Sequence, residues 1–165
     1  MLIILKNKRS VIALLICIIS LFYSYYMQYV RGIHPCVLCM VERYTFIALV
    51  ITLFIRLLVN NFKILAVIGD WFAVIISIFG ITICWHHYHL QNSFNDSNFI
   101  SCEMPLEIYY NQNSLLQFVK YILYENVECA KSVVMLFGVN ILILEVTTFV
   151  ILIILTLLNF LKDNK

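Results

Sequence analysis

Apolar residues run along this chain in long blocks separated by polar intervals. Residues 11–30 carry no charge. Residues 40–59 are apolar apart from Glu42 and Arg43 near the start and Arg56 near the end, and 64–85 are apolar apart from Asp70. The last apolar run, 132–161, exceeds one bilayer crossing; its span is placed at 142–161, with 132–141 as the approach. About 20 apolar residues in a helix cross a ~30 Å hydrocarbon core. The pattern therefore predicts an all-α membrane protein with four spans in a single domain, 1–165.

Lys6, Lys8 and Arg9 precede the first block, as in a secretory signal. Its far end, YSYYMQYVRG, is aromatic and bulky and lacks a small-residue cleavage site, so a retained span is expected. The connections 31–39 and 60–63 are short, which predicts antiparallel neighbours in a four-helix bundle. The connection 86–131 is long and polar, with Asp96, Glu103, Glu107, Glu125 and Glu128. Within it, SLLQFVKYILYEN (114–126) alternates apolar and polar residues at helical spacing. That suits a short amphipathic helix on the membrane surface, and equally an ordinary surface helix of a small loop domain.

Composition agrees with the pattern. Of 165 residues, 63% are hydrophobic and 12% charged, against about 45–50% and about 25% for a soluble domain. A net charge of +2 with no Lys/Arg block argues against a nucleic-acid partner, and no Gly-rich phosphate loop is present. Lys6, Lys8, Arg9, Arg56, Lys63, Lys162 and Lys165 fall on one side of the expected spans. Arg31, Arg43, Lys120 and Lys131 fall on the other. The positive-inside rule then places both termini in the cytoplasm and the connections 31–39 and 86–131 outside.

Cysteine placement brings in chemistry. Cys17 and Cys84 lie within expected spans, where cysteine packs as a small hydrophobe. Cys36, Cys39, Cys102 and Cys129 all fall on the outer face. Three readings fit those four: structural disulfides in an oxidising compartment, a four-cysteine zinc site, or a redox pair. The sequence HPCVLCMVERY (34–44) favours the third. Pro35 and the start of the second span place Cys36 and Cys39 in the first turn of a helix, where the N-terminus stabilises a thiolate. Arg43 follows Cys39 by four residues and Cys36 by seven, so a helix sets all three on one face. There it stabilises a Cys39 thiolate or polarises a carbonyl-bearing ligand. The alternative is that Glu42 and Arg43 only anchor the helix end. Asp70 and Glu145 lie near span ends, where snorkelling to the interface is expected; a small transporter would instead use them as pathway residues.

The segments PCVLCMVER (35–43), FISCEMP around Cys102 and ECAKS around Cys129, set in four spans, resemble the disulfide bond formation protein B (DsbB) family of quinone-dependent oxidoreductases of bacterial inner membranes. The resemblance implies redox disulfides Cys36–Cys39 and Cys102–Cys129. It makes all four cysteines catalytic, with the first pair beside the quinone and the second exchanging with a soluble periplasmic oxidase of the thioredoxin-like DsbA type. It makes Arg43 a quinone-site residue and requires no metal. HHYHLQ (86–91) resembles the family's His-x-x-Leu-Gln, which points to His87 and Gln91. Counting back from Cys102 selects His89 instead; His87 is preferred because loops gain and lose residues more readily than helix ends. The sequence departs from the family near the last span, where Gly138 is followed by VNILILE without Pro or Trp. Two rivals remain. A vitamin K epoxide reductase-like protein would carry its membrane-proximal Cys-x-x-Cys late in the chain, the reverse of the order here. A non-catalytic scaffold stapled by disulfides would leave quinone unchanged.

Overall fold

The computed structural model describes residues 8–32, 36–59, 62–93, 135–136 and 139–163. Four helices account for nearly all of them: α1 (Lys8–Tyr29), α2 (Val37–Leu58), α3 (Lys63–Ser93) and α4 (Ile141–Asp163). Each is long and apolar enough to cross a membrane. Just before α4, β1 (Met135–Leu136) pairs antiparallel with β2 (Val139–Asn140), Met135 opposite Asn140 and Leu136 opposite Val139.

The helices pack as a closed ring, α1 on α2, α2 on α3, α3 on α4 and α4 back on α1. Cross-ring hydrogen bonds show that neighbours run antiparallel. Ser10 near the start of α1 accepts from Asn159 Nδ2 near the end of α4 at 2.8 Å. Gln91 near the end of α3 accepts from Asn140 Nδ2 at the start of α4 at 2.9 Å. The start of α1 and the end of α4 therefore share one end of the bundle, and the end of α3 and the start of α4 share the other.

The inward positions follow a seven-residue rhythm. On α3 the buried residues are Ala66, Asp70, Ala73, Ser77, Gly80, Cys84, His87 and Gln91. On α2 they include Leu38, Glu42, Leu49, Leu53 and Arg56. Spacings of three and four give the slight left-handed crossing of coiled-coil-like packing. In lipid such packing rests on close contact rather than on exclusion of water. Gly80 shows how close. A Cβ placed there would lie 2.5 Å from Phe149 Cζ on α4, and that ring stacks on Phe46 of α2 at 4.5 Å between centroids. Large apolar side chains such as Phe22, Leu58, Ile64 and Trp85 point outward, toward lipid.

Two expectations change. The third helix does not end at 85 but continues to Ser93, because Cys84, His87 and Gln91 extend its inward stripe and no Gly or Pro interrupts 81–93. Asp70 does not snorkel. It is buried in a two-point ion pair with Arg56, Nε–Oδ1 3.0 Å and Nη2–Oδ2 3.2 Å.

Candidate redox site

The site is assembled at the end of the bundle where α2 begins and α3 ends. Cys36 is the N-cap of α2, with extended backbone (φ −70°, ψ 170°), and its sulfur accepts the Cys39 N–H at 3.4 Å. Sulfur here takes the place of the oxygen of a usual capping residue. The first-turn N–H groups and positive end of the helix favour negative charge on it. One turn on, Cys39 brings its Sγ to 3.0 Å from Cys36 Sγ, within about 1 Å of the ~2.0 Å bonded distance. Cys36 is buried, against Leu38 with Ile83 and Leu90 nearby, while Cys39 is half-buried.

α3 supplies the base. His87 is 1% exposed; its Nε2 lies 3.8 Å from Cys36 Sγ and its Nδ1 2.9 Å from Oε1 of buried Glu42. Gln91 Nε2 is 3.5 Å from His87 Nε2, and Gln91 Oε1 accepts from Asn140, whose Oδ1 caps α4 by accepting the Leu142 N–H at 3.0 Å. With Gln91 donating to Nε2, the neutral ring carries its proton on Nδ1, directed at Glu42. The single in-plane lone pair of Nε2 lies within reach of both the Gln91 amide and the Cys36 sulfur. Thiol, imidazole and carboxylate thus stand in the order that base-assisted ionisation of a thiol requires.

Arg43 turns toward α1. Nε donates to Ser24 Oγ at 3.0 Å, Nη1 to Gln28 Oε1 at 2.6 Å and Nη2 to the Ser24 carbonyl at 3.4 Å, with the guanidinium 4.5 Å from the centre of the Tyr25 ring. Ser24 and Gln28 continue the inward stripe of α1 that starts at Ser10, Ala13 and Cys17. α1 then runs out at Val30 and Arg31, which both donate to the Tyr26 carbonyl, and Gly32 follows at φ 67°, a left-handed turn that glycine makes without strain.

Of the residues singled out in the sequence, Cys36, Cys39 and His87 meet directly, and Arg43 lies one turn below Cys39 on α2. His89 is exposed and packs edge-on against Trp85, 5.7 Å between centroids. Cys102, Cys129 and the amphipathic stretch 114–126 lie outside the described residues. Sequence reasoning missed three participants. Glu42 orients His87 rather than serving only as an anchor. Cys84 packs in the core as expected and also places its Sγ 3.6 Å from Glu145 Oε2. Asn140 joins the start of α4 to the site. Continuing the seven-residue stripe from Cys84 to His87 and Gln91 is the signal that identifies the inward-facing histidine.

A thiol pair capping a transmembrane helix, with a buried histidine beside it, is the arrangement of a membrane thiol oxidoreductase. The family model of disulfide bond formation protein DsbB matches residues 6–159. The chain belongs to that family and is a multi-pass membrane disulfide oxidoreductase. No curated protein and no solved structure matches it.

Proposed function

We propose that the chain reoxidises a soluble, thioredoxin-like dithiol oxidase of the DsbA type at the periplasmic face of the bacterial inner membrane. The electrons pass to a membrane quinone, ubiquinone or menaquinone, in support of disulfide formation in exported proteins. The observation that carries this reading is the Cys36–Cys39 pair, 3.0 Å apart at the head of α2, with His87 beside it and Arg43 one turn below. The end of α3 and the start of α4 lie at that same end, and Cys102 and Cys129 belong to the sequence that joins them. The Lys/Arg asymmetry supports a periplasmic position for that end.

The residues present fit a quinone. Arg43 gives one N–H of each nitrogen to α1, and its remaining N–H groups serve a carbonyl oxygen at the lipid boundary. Cys39, the less buried sulfur, sits one turn away. Arg43, with His87 on the other side of the pair, would hold such a ligand. A bound quinone supplies a higher-potential acceptor for two electrons and two protons, without which the thiol pair would not be driven strongly toward disulfide.

In this reading the partner's thiolate attacks Cys102 and Cys129 leaves as a thiolate. Cys129 attacks Cys36 and Cys39 leaves. The partner's second thiol then resolves its mixed disulfide, Cys102 recovers Cys129, and Cys36 and Cys39 remain as the dithiol, to be oxidised in turn. Tethering both pairs at one end keeps their effective concentration high.

Purified protein, reduced partner and quinone, followed by the quinone's absorbance, test the reading. One quinone reduced per partner oxidised is expected, and no change in quinone leaves the scaffold reading. A partner variant lacking its second cysteine should be trapped as an adduct at Cys102 on a non-reducing gel, with Cys129 released; absence of the adduct overturns the proposed order.

A further inference from the structure

α4 carries a carboxylate, Glu145, five residues into its apolar span. Neither helix length nor the thiol chemistry described so far calls for it. A lone carboxylate at such a position is costly and marks a functional group or a protonated one. Here it is not alone. Carboxyl oxygens of Glu145 and Glu42 and the sulfur of Cys84 all lie within 4.8 Å of one another, and Cys84 Sγ donates to Glu145 Oε2 at 3.6 Å. Glu42 in turn meets His87 Nδ1 at 2.9 Å, and His87 Nε2 faces Cys36 Sγ at 3.8 Å. A continuous line of exchangeable groups thus runs from the redox sulfur through α3 and α2 to α4.

We propose that Glu145 and Glu42 share one carboxyl proton and, with His87, form a proton store between the helices for the Cys36–Cys39 pair. The inference rests on the redox reading above but concerns this chain's own residues. Two carboxylates this close in a medium without water cannot both stay charged unless a cation or a proton lies between them. His87 balances one charge when protonated, and the shared proton balances the other. The titratable groups facing Glu145 are Glu42 from α2 and Cys84 and His87 from α3. Arg43, the residue after Glu42, is directed to α1.

The proton balance closes. When the Cys36 thiol ionises, its proton moves to His87 Nε2, and the imidazolium stands between the thiolate and Glu42 while the carboxyl proton stays with Glu42 and Glu145. When the sulfurs join, two electrons leave for the acceptor, a membrane quinone. The stored proton follows by the same route, together with the one lost by Cys39. The dithiol has then lost two electrons and two protons, the acceptor has gained both, and the store is back at one proton. Glu145 is a positioning residue: it acts on Cys36 through Glu42 and His87.

Infrared difference spectra of the full chain in lipid, reduced by a small dithiol without quinone or partner, test this directly. A protonated-carboxyl C=O band that shifts in heavy water and changes between the oxidised and reduced protein is expected. It should be lost in Glu145→Gln and kept in Glu145→Asp, with both variants retaining wild-type helicity. In Glu145→Gln, Glu42 no longer shares a proton and holds His87 more firmly as the cation. The pH midpoint of Cys36 alkylation, read on its own peptide, should then move down by about one unit. Absence of the band, its persistence in Glu145→Gln, or stoichiometric zinc binding abolished by that substitution would each overturn the store. Because no quinone is added, these outcomes are independent of whether quinone is the acceptor.

Discussion

Arg56 and Asp70 meet through two parallel contacts, 3.0 and 3.2 Å long, inside the bundle at the end remote from the thiols. Both are almost fully buried, Arg56 at 1% exposure and Asp70 at 2%. Gly69 lets the two helices close over the pair, since a Cβ there would lie 3.1 Å from Arg56 Cβ and Cγ. Removing one partner strands a buried charge, at a cost of about 3–5 kcal/mol. Arg56→Ala and Asp70→Ala should each lower stability by that order in detergent unfolding, whereas Arg56→Met with Asp70→Leu should recover most of the loss. A double variant as unstable as the singles would show that the pair is favourable in itself.

The Gly80 contact gives a second prediction. Gly80→Val drives a side chain into the Phe149 ring and should destabilise by about 1–3 kcal/mol, as overpacking does. Phe149→Leu in the same chain opens space and should restore part of it. Thermal unfolding of the two variants decides the matter; equal melting temperatures for wild type and Gly80→Val would refute the close approach.

His87→Ala removes the base facing Cys36. General acid–base groups contribute typically 10²–10⁴-fold, so re-formation of the Cys36–Cys39 bond in a single turnover should slow by about 10²-fold or more. Glu42→Gln keeps an acceptor for Nδ1–H but loses the charge, and an intermediate loss is expected. His89→Ala, on the exposed face, should match wild type in the same rapid-mixing measurement.

Arg43 separates an anchor from a ligand-binding residue. Arg43→Ala should raise the KM for quinone about tenfold or more, with helicity preserved. Arg43→Lys should not rescue it, because a single ammonium cannot reproduce the planar set of donors on Ser24 and Gln28. Unchanged KM in Arg43→Ala would reduce the residue to an anchor.

The four spans and the Cys-x-x-Cys at a span boundary were legible in the sequence because apolar run length and motif spacing are local quantities. The end of α3 was not. His86, His87 and Gln91 look like loop residues by polarity, yet His87 and Gln91 point into the bundle. Polarity alone does not distinguish a polar interior from solvent. Glu42 and His87 lie 45 residues apart, and Cys84 and Glu145 lie 61 apart; only the packing of α2, α3 and α4 brings these pairs together. Asp70 looked like a snorkelling end residue because its partner sits on the neighbouring span. An opposite charge in adjacent antiparallel spans was the available clue.

The hydrogen bonds between α1 and α4 bear on how the molecule is made. Ser10 and Arg9 on the first span find Asn159 and the Leu158 carbonyl on the last, at 2.8 and 2.7 Å. Glu42 on the second span meets His87 on the third, and Glu145 arrives only with the fourth. During biosynthesis the polar groups of the early spans therefore wait for later ones. The ring of helices is closed only once the final helix has packed against the first.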